Sequence, residues 1–354
     1  MIWFLSSRTG SPRAESASPA VASSDVQYIA CTTQSQASVE IASGDGFRSK
    51  YSVDQDMLLC PRGQFLTNWI NPKRSDMRTW FITGGTPGGF GLVFADAVLA
   101  RGDRVAITSR RPAELADWAA PHGESVLVVE VDVTDAGQVR AGVAAAEKQF
   151  GGIEVVVNNA GRGWYGSIEG MRPEDVRRVM ELNFFAVLEV TRAVLPGMRA
   201  RGSGWVVNMS SVAGLRGIEG FGYYSAAKFA VEAVTDVLRA EVAEFGIKVL
   251  AVEPGAFRTR AYSNFADEPL RETVDAYLPQ LDVIRKAMID QNGHQPGDPE
   301  RGVQAVLQAM DLESPPRRLV LGSGGFDAAV NTLESNLADI RASEALSRSA
   351  DFPS

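Results

Sequence analysis

From residue 77 onward the sequence predicts a doubly wound α/β fold, with a mostly parallel seven-stranded sheet that carries helices on both faces. Short apolar runs alternate with longer segments of helical periodicity. Strands joined by helical crossovers are parallel, and helices on both faces bury them, so they carry continuous apolar runs. Strands are predicted at 80–83, 104–109, 126–131, 153–157, 204–208, 248–252 and 318–321, and helices at about 92–101, 136–149, 173–199, 224–245 and 299–310.

The first 76 residues differ from the rest of the chain. They contain 13 serines and show no sustained periodicity, and their seven basic and seven acidic residues balance. Three interpretations stay open: a disordered extension, a targeting segment, or upstream sequence that is not part of the natural protein. Scattered acidic residues are not typical of a transit peptide, so the first and third are favoured. We expect residues 77–354 to form a single domain.

Composition excludes several classes of partner. A net charge of −8 argues against nucleic acid or an anionic membrane as the main partner. No run reaches the roughly 18 apolar residues that a membrane-spanning helix needs. Both cysteines, Cys31 and Cys60, precede residue 77, which fits a reducing, cytoplasmic location. The two histidines, His122 and His294, give no basis for a His-rich metal site, so no metal is expected.

A glycine-rich loop follows the first strand of the predicted domain. Glycines between a strand and a helix let backbone N–H groups approach a pyrophosphate. The spacing also matches the start of a triphosphate-binding loop, but Phe90 and Gly91 occupy the positions where that loop needs Lys and then Ser or Thr. The loop therefore predicts dinucleotide binding, by Gly84, Gly85, Gly88, Gly89, Phe90 and Gly91.

Tyr224 and Lys228 stand one turn apart on one face of a predicted helix. A tyrosine has a pKa near 10 and is a poor base at neutral pH, so a nearby cation that lowers the pKa of the phenol would assist proton transfer. Ser211 lies thirteen residues upstream of Tyr224, at the end of a predicted strand. By itself the pair is equally compatible with a partly buried tyrosine and a surface lysine.

Taken in order, these motifs resemble those of the short-chain dehydrogenase/reductase superfamily, from about Met77 to the C-terminus. The resemblance implies a Rossmann-type fold and NAD(P)-dependent oxidation or reduction of an alcohol–carbonyl pair. The matched positions are Thr83-Gly84 with the glycine loop, Asn158 to Gly161, Asn183, Ser211, Tyr224 with Lys228, and Pro254-Gly255 with Thr259.

The glycine loop departs from the family pattern. The family usually has three residues between its first two glycines, whereas four, Gly85 to Gly88, separate Gly84 from Gly89 here. A second register makes Gly88 the second glycine, but it places Phe90 where helix and strand pack closely. We prefer the first register, and the effect of the extra residue on cofactor affinity stays open.

The resemblance implies a role for each polar residue of the site. Ser211 would hydrogen-bond the substrate carbonyl, Tyr224 would transfer the proton, and Lys228 would hold the nicotinamide ribose. Asn183 would hold a water that contacts the lysine, although it could instead be a solvent-facing helix residue. The cofactor would also contact Asp132 and Val133 at the adenine, Asn159, Ala160 and Gly161 at the adenine-ribose side, and Pro254, Gly255 and Thr259 beside the nicotinamide.

The end of the second strand favours NADP(H) over NAD(H). An NAD-preferring site usually has an acidic residue here, whereas this chain has Ser109 followed by Arg110 and Arg111. Arginine suits a 2′-phosphate because its planar fork makes charge-assisted hydrogen bonds. The alternative is a pair of solvated loop arginines. At the next strand end, Asp132 alone would be a turn residue before a helix whose expected N-cap is Thr134.

The segment at about 256–295 is expected to form an apolar helical lid over the substrate. This favours a medium-sized hydrophobic alcohol or ketone. The alternative function is a non-catalytic NADP(H)-binding sensor or regulatory module, and an epimerase or dehydratase is disfavoured by the short substrate region. The apolar residues concerned are Tyr262, Phe265, Tyr277, Leu278, Leu281 and Ile284, with Trp164 and Tyr165 from an earlier turn.

The predicted helices at 173–199 and 224–245 carry apolar residues over more than one face. A helix that covers a sheet needs one apolar stripe, so a wider apolar surface indicates a second contact. The family resemblance implies pairing of these helices across a twofold axis. A homodimer or homotetramer is therefore expected.

Overall fold

The computed structural model describes residues 77–267 and 270–352, together with four strands between residues 20 and 53. The chain divides into two units, Met1–Asp76 and Met77–Ser354.

The first unit contains a four-stranded antiparallel sheet in which each strand pairs with the next along the chain. Sequence analysis found no strand pattern here because the alternation is short and lies among serines, as at Val39 and Ile41 in β3. Whether residues 1–76 are an extension, a targeting segment or sequence outside the natural protein stays open. Its strands are β1 (Ala20–Ser23), β2 (Val26–Thr33), β3 (Gln36–Ser43) and β4 (Arg48–Val53).

The second unit is built on a seven-stranded parallel sheet, which confirms the predicted fold class. The strand order is β7-β6-β5-β8-β9-β10-β11, so the winding direction reverses between β5 and β8. A ligand crevice is expected at such a reversal, outside the carboxyl ends of the strands. The strands are β5 (Thr79–Ile82), β6 (Arg104–Ser109), β7 (Val126–Glu130), β8 (Val155–Asn158), β9 (Gly204–Met209), β10 (Ile247–Pro254) and β11 (Arg318–Leu321).

Helices cover both faces of this sheet and create two apolar cores. Side chains alternate along a strand, so Trp80 and Ile82 of β5 join the core under α1 and α9, whereas Phe81 joins the core under α3 and α5. The helices are α1 (Phe90–Leu99), α2 (Ala116–Ala119), α3 (Ala136–Phe150), α4 (Pro173–Met180), α5 (Ala186–Arg201), α6 (Gly222–Val242), α7 (Asn264–Asp267), α8 (Leu278–Gln291), α9 (Pro299–Asp311), α10 (Ser323–Ala342) and α11 (Glu344–Arg348).

Two local predictions were wrong. The single helix predicted at 173–199 is divided by a π-helical turn, Glu181–Phe185, between α4 and α5. The N-cap of α3 is Asp135 rather than Thr134, because the Asp135 carboxylate accepts hydrogen bonds from the N–H groups of Gly137 and Gln138. The Thr134 hydroxyl instead donates to Asp132, 2.7 Å away.

Candidate active site

The glycine loop is a close-packed turn between β5 and α1. A Cβ added to Gly91 would lie 2.5 Å from the carbonyl oxygen of Gly84, so the helix approaches the strand there through glycine alone. Of the two registers considered for the glycine loop, the preferred one, with Gly89 and Gly91 as its last two glycines, puts Gly91 where helix and strand pack closely. Gly89 caps α1 without a side-chain hydrogen bond, so no capping side chain occupies the first N–H groups of the helix.

Thr83 and Asn159 tie β5 to β8 at the reversal point. The Thr83 hydroxyl oxygen accepts from the N–H groups of Asn159 and Ala160, at 2.9 and 3.0 Å. The Asn159 amide donates to the Thr83 carbonyl at 2.8 Å. The crevice therefore has a fixed floor, in which Gly84 lies so close to Ala160 that a Cβ at Gly84 would stand 2.9 Å from its Cα.

A buried amide–hydroxyl chain fixes α6 on the sheet. The Asn158 amide donates to Asn208 Oδ1 at 2.8 Å, and the Asn208 amide donates to Thr235 Oγ1 at 2.8 Å. Thr235 in turn donates to the Val231 carbonyl of α6. Because α6 also carries Tyr224, this series of hydrogen bonds fixes the position of Tyr224 relative to the strand ends.

The end of β6 is followed by two arginines that differ in their contacts. Arg111 forms an ion pair with Glu114 at 2.9 Å, and its N–H donates to Ser109 Oγ at 3.1 Å. Arg110 is exposed and takes part in no ion pair within the described part of the chain. Arg110 is thus the guanidinium available to an anion at this strand end.

Ser211, Tyr224 and Lys228 meet at the carboxyl end of β9. The Ser211 side chain lies close enough to the phenol of Tyr224 to lower its pKa. The Lys228 ammonium donates to the Met209 carbonyl at 2.8 Å and lies 5.8 Å from the centre of the Tyr224 ring. The neighbouring Ser210 is directed away, toward Gly214 and Glu232. The structure therefore brings Ser211, and not Ser210, to the phenol.

Burial shifts both ionisable groups toward their neutral forms. It raises the pKa of the Tyr224 phenol, against a smaller lowering by the hydrogen bond with Ser211. It lowers the pKa of Lys228 to about 8, while the Glu232 charge opposes that change. The causes of the shift at Tyr224 are burial, Ser211 and Tyr262, and the Lys228 ammonium, which was expected to lower this pKa, is directed at the Met209 carbonyl.

Asn183 lies at the centre of the π-helical turn and is fully buried. Its amide donates to the Val179 carbonyl at 3.0 Å, and its Oδ1 accepts from the Arg162 N–H at 3.1 Å. A Cβ on Gly161 would lie 2.9 Å from Asn183 Oδ1 and 3.6 Å from Lys228 Nζ. Asn183 therefore stands across Gly161 from the lysine, and the solvent-facing alternative is wrong. Such π-helical turns are frequent at functional sites.

The loop after β10 closes the crevice beside the glycine loop. The Gly255 N–H donates to Leu321 at 3.0 Å, and the Arg260 N–H donates to the Gly88 carbonyl at 2.9 Å. Pro254 and Thr259 lie at the two ends of this connection. At the remaining adenine-side positions, Val133 is buried and Asp132 is partly exposed.

An aromatic cluster stands over Tyr224. Phe265 packs edge-on against Tyr165 and Phe221, with ring centres 5.4 and 5.9 Å apart. Tyr277 lies outside the cluster and donates its hydroxyl to Glu169 at 2.8 Å. Sequence analysis missed Phe221 because it precedes the Tyr224 helix rather than belonging to the predicted lid. Partly buried members of the cluster are Ile218, Tyr224, Tyr262, Leu270, Ile284, Met288 and Ile289.

Sequence analysis also missed two buried carboxyl groups behind Lys228. Glu232 lies one turn after Lys228, and Glu253 lies on β10. Burial, and then the neighbouring Glu232, raise the pKa of Glu253 to about 8. Spacing along α6 could have indicated Glu232, but no local pattern indicates its pairing with a strand residue.

Across the described residues, no group of three or more His, Cys, Asp and Glu side chains is arranged to hold a metal ion. Nor does the described part of the chain contain a helix that is long and apolar enough to cross a membrane.

Comparison with known proteins assigns the class of this fold and site. The sequence model of the short chain dehydrogenase family matches residues 78–269. The chain belongs to the short-chain dehydrogenase/reductase family, and it is an oxidoreductase with a nucleotide-binding Rossmann-type fold.

Individual relatives extend the likeness beyond that region. The chain is 36% identical over 263 residues to the oxidoreductase BOA17 of Botryotinia fuckeliana, covering 73% of this chain and 93% of the relative. A solved short-chain dehydrogenase from Streptomyces avermitilis is 39% identical with a TM-score of 0.72, covering 78% of this chain and all of the other.

Two more solved structures contain a nicotinamide cofactor. A short-chain dehydrogenase from Burkholderia cenocepacia, in complex with NADP, is 25% identical with a TM-score of 0.57, over 78% of this chain and 99% of the other. A 3-ketoacyl-(acyl-carrier-protein) reductase from Brucella melitensis, complexed with NADH, is 26% identical with a TM-score of 0.57, over 70% of this chain and 98% of the other.

Proposed function

We propose that this protein is an NADP(H)-dependent oxidoreductase that interconverts a hydrophobic alcohol and its ketone, with Tyr224 as the general acid and base. The observation that carries the proposal is the meeting of Ser211, Tyr224 and Lys228 at one strand end, with the Ser211 side chain acting on the Tyr224 phenol and Lys228 Nζ 5.8 Å from the centre of its ring. A nucleotide sensor has no need of such a proton-transfer group.

Ser211 and Tyr224 each have a task at the substrate oxygen. The Ser211 hydroxyl donates a hydrogen bond to the carbonyl oxygen and stabilises the negative charge that develops there. Tyr224 donates its proton to the same oxygen during reduction and removes it during oxidation. The raised pKa of the Tyr224 phenol keeps it protonated at neutral pH, which suits the reductive direction.

Lys228 and Asn183 form the polar side of the site behind Tyr224. The Lys228 ammonium would hydrogen-bond the nicotinamide ribose, and its bond to Met209 aligns it for that contact. Asn183 is buried across Gly161 from Lys228, where it fits a role in holding a water near the ammonium.

The crevice fits a dinucleotide phosphate. The start of α1, which has no side-chain cap, suits a pyrophosphate, and Arg110 suits the 2′-phosphate of NADP(H). Bound NADP(H) would supply or accept the hydride. Asn159, Ala160 and Gly161 would line the ribose side, and the loop from Pro254 to Thr259 would lie beside the nicotinamide.

The aromatic cluster over Tyr224 supports an apolar substrate. Phe221 and Phe265 are buried, and Tyr262 and Ile284 are partly exposed beside them. The segments that contain Phe265 and Ile284 belong to the region proposed as a lid. An apolar enclosure excludes water and favours a hydrocarbon-rich alcohol or ketone over a charged one.

A carbonyl and alcohol panel assayed with NADPH and NADP⁺ tests this function, with Tyr224→Phe as the diagnostic variant. We expect turnover to fall by about 100-fold or more while NADPH affinity stays almost unchanged. The control is Tyr223→Phe, whose hydroxyl donates to the Ile168 carbonyl at 2.9 Å outside the trio. Near-normal turnover in Tyr224→Phe would refute the mechanism. NADPH binding without activity on any compound would favour the sensor.

A further inference from the structure

The C-terminal helix α10 carries an apolar stripe with the spacing of a coiled coil. Its members are four, three, four and three residues apart, which is the alternation of a and d positions in a heptad repeat. Most of the stripe is open: Phe326 is 56% exposed, Leu333 50%, Leu337 45% and Ile340 67%. The full stripe is Phe326, Val330, Leu333, Leu337 and Ile340.

Only the first part of α10 packs on its own domain. Gly325 and Ala329 are the buried residues of this helix. From residue 333 to residue 352 every described side chain is exposed. An isolated helix of this length is marginal in water, and an apolar stripe on it is stabilised when another surface covers it.

The charges beside the stripe indicate which surface covers it. Asp327, Glu334 and Arg341 follow one another at seven-residue intervals along one flank, with an acidic residue near its start, an acidic residue near its middle and a basic residue near its end. In an antiparallel pair of identical helices this flank faces its own copy, so Asp327 of one helix lies beside Arg341 of the other at both ends of the pair, while the two Glu334 side chains meet near its middle. In a parallel pair it would face the opposite flank, where Asn336 and Ser343 carry no charge.

We propose that α10 pairs in antiparallel orientation with α10 of a second copy of this chain. The pair buries the stripe from both copies and is isologous, because the same patch contributes on each side. Two heptads are short for an independent coiled coil, so the α10 pair acts together with another contact between the copies. The α10 pair is separate from the apolar face of helices α5 and α6, where a dimer contact is also expected.

Light scattering of the full-length protein at micromolar concentration tests the pairing. The double variant Leu337→Glu, Ile340→Glu should halve the assembled mass while leaving turnover per chain unchanged. The control is Leu346→Glu, because Leu346 is 77% exposed but lies off the stripe in α11. Its mass should equal that of the unmodified protein.

Charge variants test the orientation. Arg341→Glu should weaken assembly, and adding Asp327→Arg to it should restore the mass, since the pairs at both ends are then complementary again with reversed signs. A monomeric unmodified protein, or an unchanged mass in the double variant, would overturn the proposal. An unchanged mass with a lower melting temperature would mean that the stripe is covered within its own chain, which also overturns it.

Discussion

Glu232 and Glu253 lie together in the interior behind Lys228 and share Arg318 as a counter-ion. Arg318 Nε is 3.4 Å from Glu232 Oε2 and 3.7 Å from Glu253 Oε1. Two buried carboxyl groups this close to one another do not both ionise readily, so the pair retains a proton near neutral pH. The pKa of each is raised, with burial as the largest cause.

This pair predicts how stability depends on pH. The pKa of Glu253 rises from 4.5 to about 8 on folding, so its contribution is fully present below the lower value and is lost as pH rises through the higher one. Glu253→Gln stays neutral and should flatten this dependence by about 1–2 kcal/mol after solvent screening. Urea unfolding at pH 5 and pH 8 measures it, with the exposed Glu241→Gln as control. The same slope in Glu253→Gln and the unmodified protein would show that the carboxyl is ionised in the fold.

A preference for NADP(H) follows from Arg110. Arg110→Ala should weaken NADPH binding by about 10- to 100-fold, the effect of losing a hydrogen bond to a charged group, and should leave NADH binding nearly unchanged. Arg111→Ala is the control, since Arg111 is engaged by Glu114. Fluorescence titration of both cofactors gives the affinities. Equal affinity of the unmodified protein for NADPH and NADH would contradict the assignment.

Gly91 tests the register of the glycine loop. Glycine to alanine inside a helix ordinarily stabilises by about 0.5–1 kcal/mol. At Gly91 the added Cβ would stand 2.5 Å from the Gly84 carbonyl, so Gly91→Ala should instead lower the melting temperature and weaken NADPH binding by about 10-fold or more. Gly324→Ala in α10 has nothing within 4 Å and should be neutral or stabilising. Unchanged cofactor affinity in Gly91→Ala would contradict the preferred register, in which Gly91 is the glycine of the close contact between helix and strand.

Residues 1–76 are expected to be dispensable. A chain that begins at Met77 contains the whole parallel sheet, and the Streptomyces avermitilis structure is covered completely by 78% of this chain. It should therefore fold with a similar melting temperature and retain its turnover. Calorimetry and the carbonyl assay compare the two chains directly. Insolubility or lost activity of the shorter chain would mean that the domain depends on the first unit.

The apolar face of α5 and α6 is expected to form a dimer. Val237 on α6 is 56% exposed. It lines a groove with Val187, Leu188 and Val234. Val237→Glu should halve the mass measured by light scattering, because it would place a charge in a symmetric apolar contact. Val283→Glu, at a position that is 69% exposed on α8, is the control. A monomeric unmodified protein, whatever its dilution, would exclude this dimer.

Several features were determined by local sequence alone. Tyr224 and Lys228 are on one face of a helix because helical periodicity puts residues four apart side by side. The glycine loop was identifiable because its residues are contiguous, and the seven strands because continuous apolar runs alternate with helical segments.

Tertiary structure decided everything that depends on distant residues or on burial. Glu232 and Glu253 are 21 positions apart, and only the docking of α6 on β10 makes them a pair. The aromatic cluster joins Tyr165, Phe221 and Phe265 from three separate segments. The direction of the pKa shift at Tyr224 was set by desolvation, which overcomes the Ser211 hydrogen bond. Desolvation and pairing depend on the atoms that surround a group in space, and sequence spacing does not specify those atoms beyond the nearest turn of helix.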